Sequence, residues 1–142
     1  MADLDLLKDA IGQSNELWKR GQHQEALKIL DDSIAKAKQE NRGLWVKILS
    51  RHASVISGSL GDLGLERRYC EQVLAYQPDD ALALFGLADV LFRQSQPDLA
   101  KRYAAKSYAL VAHSNTDMDR GLAELLTKKW PEVGEWLEED SK

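Results

Sequence analysis

Several patterns that define common protein classes are absent from this chain of 142 residues. Its one cysteine, Cys70, excludes a disulfide within the chain, and a reducing compartment, the cytoplasm, is expected. No run approaches 18 apolar residues, so no membrane association through a spanning helix is expected. The N-terminal Met-Ala-Asp-Leu-Asp is acidic and lacks the features of a signal peptide.

Strand signals are also absent, because the sequence has no long alternating run and no Asn-Gly or Asp-Gly hairpin turn. The 19 basic and 23 acidic residues give a net charge of −4, which offers little to phosphate. Nucleic acid is therefore not an expected partner. An apolar fraction of 44% is ordinary for a globular protein and argues against disorder. A single domain over residues 1–142 is expected.

What the sequence does contain is helical periodicity along nearly its whole length. It predicts an all-α fold of about seven helices followed by a short C-terminal helix. The seven apolar stripes start at Leu4, Ala26, Trp45, Tyr69, Leu84, Leu99 and Met118, and the short helix carries Val133, Trp136 and Leu137.

Turn and capping residues separate these stripes. Gly21 and Gly61 are expected to separate paired helices, and Pro97 fits the first turn of a helix, where its missing N–H has no partner. Residues 77–80, Gln-Pro-Asp-Asp, end one helix and supply an acidic N-cap for the next. Residues 114–116 offer three candidate caps for the seventh helix.

An internal repeat connects these elements. Gly61 and Ser95 are 34 residues apart, whereas Gly21 and Gly61 are 40 apart, so the first unit is about six residues longer at its exit. The predicted repeats are 7–46, 47–80 and 81–114, with a capping helix and tail over 115–142.

This pattern resembles the tetratricopeptide repeat (TPR), a helix–turn–helix unit of 34 residues. The third repeat matches best, through Leu84, Leu87, Ala88, Leu91, Ala100, Ala104 and Ser107. The resemblance implies antiparallel helix pairs stacked into a right-handed superhelical α-solenoid. Two positions depart from the family pattern: Glu66 replaces a small residue, and Lys38 replaces the closing proline. Glu66 is expected either to reach out to solvent or to be accommodated by a register shift at Gly64.

No residues form a catalytic or metal-binding pattern. His23, His52 and His113 fall in different repeats, and none has metal-ligand spacing with Cys70. Cys70 itself lies on an inward stripe, as a small core residue does. The glycine-rich stretch 58–64 follows a helix and lacks the Lys-Ser/Thr ending of a phosphate loop. We therefore expect neither enzymatic activity nor a cofactor.

The resemblance implies that the first helix of each repeat lines a concave groove that binds a partner. The groove residues it implies are Lys8, Ile11, Asn15, Trp18 and Lys19 in the first repeat, Ile48, Arg51, His52 and Val55 in the second, and Leu82, Phe85, Asp89, Phe92 and Arg93 in the third. Chaperone-binding members of the family hold carboxylates with a clamp of lysines, asparagines and an arginine. Asn15 alone matches that clamp, so recognition of Hsp70 or Hsp90 tails is not expected.

Two alternatives concern the aromatic residues. Phe85 and Phe92 could pack on the C-terminal helix instead of a partner. Trp130 and Trp136, in an acidic segment, could fold back on the last helix pair, or could insert into a partner or a second copy of the chain.

The function predicted from the sequence is a non-catalytic scaffold that binds a protein or peptide in the groove. The alternative is a self-associating module, such as a homodimer, that uses an edge helix and the tryptophan-containing tail. A regulator that binds a small ligand or signalling peptide is a third, weaker possibility.

Overall fold

The computed structural model describes the backbone of residues 2–140 and the side chains of residues 6–139. Over this range the predicted all-α fold is confirmed, since it contains helices and no strand. The eight helices are α1 (Ala2–Lys19), α2 (His23–Gln39), α3 (Gly43–Leu60), α4 (Leu63–Tyr76), α5 (Ala81–Arg93), α6 (Pro97–Val111), α7 (Asp117–Lys129) and α8 (Val133–Asp140).

The chain divides into two compact units, Met1–Gln77 with α1–α4 and Pro78–Lys142 with α5–α8. In the first unit α2 packs against α1 and α3, and α3 packs against α4. In the second unit α5 packs against α6, which also contacts α7 and α8. The connections within the pairs α1–α2, α3–α4 and α5–α6 have only two or three residues, as in antiparallel helix hairpins.

The predicted capping residues begin their helices as expected. The carboxylate of Asp80 accepts a 3.0 Å hydrogen bond from the Ala83 amide at the start of α5. The Thr116 hydroxyl accepts a 3.2 Å bond from the Asp119 amide at the start of α7. Pro97 is the first residue of α6. Each cap satisfies an amide that has no partner within its helix.

The predicted repeat period recurs in the backbone. Gly21, Gly61 and Ser95 each adopt a positive φ, of 77°, 74° and 61°, in the turn between two helices. These residues are separated by the same 40 and 34 positions as in the sequence. The left-handed conformation ends one helix sharply, so that the next can turn back against it.

The six extra residues at the exit of the first repeat are helical and do not form a loop. Instead, α2 and α3 are longer, with 17 and 18 residues, than α4 and α5, with 14 and 13. The third helix begins at Gly43, two residues before the first residue of its apolar stripe, Trp45. Lengthened helices keep their backbone groups hydrogen-bonded, which a six-residue loop would not.

The buried positions of α3 and α5 follow the 34-residue period. Five of the six buried residues of α5 have a buried counterpart in α3: these are Ala83, Leu84, Leu87, Val90 and Leu91, against Leu49, Ser50, Ala53, Ile56 and Ser57. The exception is Ala88, which is fully buried, whereas Ser54 is half-buried and its hydroxyl donates to the Arg51 carbonyl. The small apolar, fully buried residue of α3 is Ala53.

The structure also shows how α4 accommodates Glu66. The side chain is half-buried and its carboxylate lies against Gly58 of α3, where a Cβ would come within 3.3 Å of Oε1. The expectation that Glu66 reaches out to solvent is wrong, because its Oε2 is buried. A register shift at Gly64 stays a prediction. The missing side chain of Gly58 makes room for the carboxylate.

Candidate binding surfaces

The first candidate surface is formed by predicted groove residues in α1 and α3, and we call it the α1–α3 face. It consists of Lys8, Ile11, Asn15, Trp18 and Lys19 of α1 with Ile48, Arg51, His52 and Val55 of α3.

The apolar character of this face comes mainly from α3, which is apolar on two sides. One side faces the core, with Leu49, Ala53 and Ile56 fully or almost fully buried. On the other side Val55 is 51% exposed and Ile48 is half-buried. A helix that is apolar around most of its circumference is normally covered on both sides. The outer side of α3 therefore has the composition of a contact surface.

Leu44 belongs to the same outer side but is not among the predicted groove residues. It is 52% exposed and lies four residues before Ile48 and eleven before Val55, so all three point in a similar direction. Its spacing could have identified it, but it precedes the second predicted repeat, 47–80, from which the groove residues of α3 were taken.

Trp18 joins the two helices of this face. Its indole is half-buried and packs against the core of the first unit, as Ile11 and Ile48 do. The ring meets that of His52 edge to face, with the centroids 6.5 Å apart and the planes at 87°. The structure thus brings together a predicted residue from each of two repeats.

His52 places a polar atom inside this apolar surface. Its Nε2 is buried and makes no hydrogen bond with the described residues. Burial lowers the pKa of the imidazole, since desolvation disfavours the charged ring. The ring is therefore neutral at neutral pH, and the face gains no positive charge from it.

The charged side chains of the α1–α3 face are basic. Lys8 is exposed and Arg51 is half-buried. Lys19 lies 3.9 Å from Glu16, but both side chains are largely exposed, so this ion pair contributes little. This arrangement would favour an acidic partner. Such charges mainly speed up association and orient the partner, and they add less to its affinity.

The second candidate surface is the outer side of α5, and we call it the α5 face: Leu82, Phe85, Asp89, Phe92 and Arg93. Unlike the α1–α3 face, it is covered by its own unit. The centroid of Trp130 lies 5.4 Å from that of Phe85 and 5.1 Å from that of Phe92. Trp136 of α8 is 5.8 Å from Phe92.

An acidic side chain lies between these two phenylalanines. The Asp89 side chain is 16% exposed, and its carboxylate oxygens are 3.3 Å from Arg93 Nη2 and 3.2 Å from Lys129 Nζ. Lys129 directly precedes Trp130, so the same short segment supplies both the charge and the ring. Leu82 remains exposed.

The aromatic residues therefore pack within their own unit, which is one of the two alternatives expected from the sequence. Phe85 and Phe92 pack on Trp130, and both tryptophans fold back on the second unit beside its buried core residues Ala88, Ala104 and Val133. The interpretation of α5 as an open part of a groove does not describe this arrangement.

Other chemistry is not favoured by the described residues. Cys70 is buried in α4, as predicted. In the range that the structure describes, no three His, Cys, Asp or Glu side chains come together as metal ligands. None of the helices described above is both long and apolar enough to cross a bilayer.

No protein-family model matches this chain, and no curated protein matches it with significance.

Proposed function

We propose that this protein is a non-catalytic scaffold of TPR-like helical repeats that binds a protein or peptide partner. The α1–α3 face is its main binding surface. The observation that carries the proposal is the outer side of α3, where Leu44 and Val55 are both more than half exposed on a helix whose other side is core. Apolar residues exposed in a row on one helix mark an interaction site.

The chemistry of the face suggests the kind of partner. Leu44, Ile48 and Val55 form an apolar row, and Trp18 adds an aromatic ring of the type enriched at binding hot spots. Lys8, on α1 of the same face, is exposed, and its positive charge favours carboxylates. The expected partner is therefore an apolar segment, helical or extended, with acidic residues beside its apolar ones.

A capture experiment tests this function. The double variant Leu44→Glu/Val55→Glu changes two exposed positions, so its far-UV CD spectrum and melting temperature should stay close to those of the original protein. Proteins captured from the native cell lysate by the original chain, identified by mass spectrometry, should be lost with this variant. Leu110→Glu, which alters an exposed leucine of α6, is the matched control and should keep them.

Unchanged capture by the folded double variant would refute the assignment of the α1–α3 face. The proposal of a non-catalytic role is supported by the burial of Cys70 and of His52 Nε2, since a nucleophile or a general base must reach its substrate.

Self-association through an edge helix is the second candidate function. On α7, Met118 is 83% exposed and Leu125, seven residues later on the same side, is also exposed. The tryptophans of the tail, in contrast, are engaged within their own unit. Multi-angle light scattering over a range of concentrations distinguishes the two functions, because a monomer at every concentration would remove self-association.

A further inference from the structure

Helix α7 has one side that its own unit leaves uncovered. Leu126 is fully buried, and Leu122 and Ala123 pack against the core of the second unit. About a quarter of a turn away, Met118 is 83% exposed and Leu125 is 46% exposed. The outer side of a terminal helix in a repeat array is normally polar, because no further repeat covers it. The exposed apolar pair therefore gives this side of α7 the composition of a contact surface.

Gly121 lies between these two residues on the same side, three positions after Met118 and four before Leu125. A Cβ at Gly121 would meet no atom within 4 Å, and its φ is not positive, so the packing of the chain itself does not require a glycine there. Glycine inside a helix is destabilising relative to alanine. Its effect on this surface is a gap between two large side chains, which lets a second helix approach closely.

Charges of opposite sign stand at the two ends of this side. Asp117 lies at its N-terminal end and Lys128 at its C-terminal end, and both side chains are exposed. Eleven residues separate them, which is about three helical turns, so the two charges lie along one edge. Neither forms an ion pair with the described side chains, whereas the neighbouring Lys129 pairs with Asp89. We call Met118, Gly121 and Leu125, with Asp117 and Lys128 at the ends, the α7 face.

The α7 face is complementary to itself when two copies of the helix run antiparallel. A two-fold axis midway between positions 118 and 125 places Met118 opposite Leu125 of the second copy, and Gly121 close to its own equivalent. The same axis brings Asp117 level with Lys128 of the second copy, to about 3 Å along the helix axis. In a parallel pair each of these charges would face its own equivalent, which is repulsive.

From these observations we propose that the α7 face binds the α7 face of a second copy of this chain in an antiparallel, two-fold symmetric pair. This inference rests on the second candidate function, self-association, for which it names the surface and the geometry, and it does not depend on the α1–α3 face. One side of one helix makes a small interface, of the size found in weak and reversible complexes. The apolar row supplies the affinity, and two reciprocal ion pairs between Asp117 and Lys128 orient the copies.

The test measures the dimer dissociation constant of the full-length chain by sedimentation equilibrium, from about 10 µM to about 1 mM, the range of weak complexes. Met118→Glu/Leu125→Glu should raise this constant at least about tenfold, because four carboxylates enter the apolar contact of each pair. Leu44→Glu/Val55→Glu of the α1–α3 face is the matched control. It also replaces two exposed apolar residues by glutamate, and it should dimerise as the original chain does.

Charge variants test the orientation of the two copies. Lys128→Glu places a carboxylate opposite Asp117 twice in each pair, so the dissociation constant should rise about fivefold or more. The charge swap Asp117→Lys/Lys128→Glu restores attraction in an antiparallel pair. It should return the dissociation constant towards that of the original chain.

Cysteine cross-linking tests the geometry, and the native Cys70 does not interfere because it is buried in α4. Gly121→Cys should form a disulfide between copies under oxidation, as seen by non-reducing electrophoresis, because equivalent positions near the two-fold axis lie within the about 7 Å that a disulfide spans. Asp117→Cys should not, because its equivalents lie about 14 Å apart along the axis. A mixture of Asp117→Cys and Lys128→Cys chains should cross-link.

The outcomes separate this inference from the functions proposed above. A monomer at every concentration overturns it together with self-association, while capture of a partner through the α1–α3 face is unaffected. A dimer that persists in folded Met118→Glu/Leu125→Glu overturns the α7 face, and cross-linking of Asp117→Cys by itself overturns the antiparallel geometry; both leave self-association in place. If the double glutamate variant does not fold, Lys128→Glu decides, since an unchanged dissociation constant in that variant overturns the proposal.

Discussion

The Tyr69 hydroxyl of α4 donates a 2.6 Å hydrogen bond to Oδ1 of Asp31 of α2, across 38 residues of sequence. The tyrosine is completely buried. Arg68 completes the network, with its Nη2 donating to the hydroxyl at 3.2 Å and lying 3.6 Å from the same carboxylate oxygen. This network ties the second helices of two successive repeats together within the first unit.

Removing the hydroxyl with Tyr69→Phe should destabilise the first unit by about 1–2 kcal/mol, because a partly buried charge-assisted hydrogen bond is lost without a large change in packing. Urea denaturation followed by far-UV CD measures the loss. Tyr76→Phe, at a half-exposed ring, is the control and should have no measurable effect. Equal stability of the two variants would show that the network contributes nothing.

The raised pKa of the same tyrosine predicts that the folded protein loses stability at alkaline pH. Burial and the hydrogen bond to Asp31 raise the pKa of Tyr69 to about 12, from 10.0 in the unfolded chain. The unfolded state therefore loses this proton first, and the stabilisation that is complete below pH 10 is lost as the pH rises towards 12. The fall in urea midpoint over this range should be smaller for Tyr69→Phe than for the original chain.

His52 should make stability depend on pH in the opposite direction. Burial lowers its pKa below 6.5, so the unfolded chain binds the proton at a higher pH than the folded chain does. The stability associated with the neutral ring is present above pH 6.5 and is lost as the pH falls below it. Urea midpoints at pH 7.5 and 5.5 should differ less for His52→Gln than for the original protein, whereas the exposed His113→Gln should leave the difference unchanged.

Substitutions at two turn residues, Ser95 and Gly61, should change stability in opposite directions. Ser95 adopts a φ of 61°, which costs a residue with a Cβ about 1 kcal/mol, so Ser95→Gly should stabilise the second unit by about that amount. Gly61, at the corresponding turn with a φ of 74°, should give the reverse effect in Gly61→Ser. Thermal melting measures both, and a loss of stability in Ser95→Gly would contradict the interpretation.

Gly43, at the start of α3, has no room for a side chain beside Tyr76. A Cβ on Gly43 would overlap Cε2 of Tyr76, so Gly43→Ala must displace this ring and should bring no stabilisation. Gly12→Ala in α1 meets no atom within 4 Å and should stabilise its helix by about 0.5–1 kcal/mol. When Tyr76→Ala has removed the ring, Gly43→Ala should stabilise α3 by part of the amount expected for Gly12→Ala. Calorimetric melting temperatures of the variants measure these differences.

Local sequence signals predicted the fold well. Periodic apolar residues, the caps at Asp80 and Thr116, and the turns at Gly21 and Gly61 depend on interactions between residues close in sequence, so they can be recognised without the tertiary structure. The stacking of the repeats into a right-handed solenoid stays a prediction.

The candidate sites were predicted less completely. Their residues were taken from the resemblance to the TPR, in which the first helix of each repeat lines a groove, but a sequence pattern cannot tell a surface covered by the chain from an open one. Phe85 and Val55 illustrate this: both lie on the outer side of a first helix, yet Phe85 packs on Trp130 while Val55 is exposed.

The sequence by itself determined that this protein is helical, where its helices begin and turn, and which of their sides are apolar, because these properties depend on neighbours within a few residues. Only the tertiary structure decided that Gly58 makes room for Glu66, that Trp18 meets His52, and that Lys129 pairs with Asp89. These contacts join residues on different helices, and their existence depends on how closely two backbones approach, which no single helix specifies.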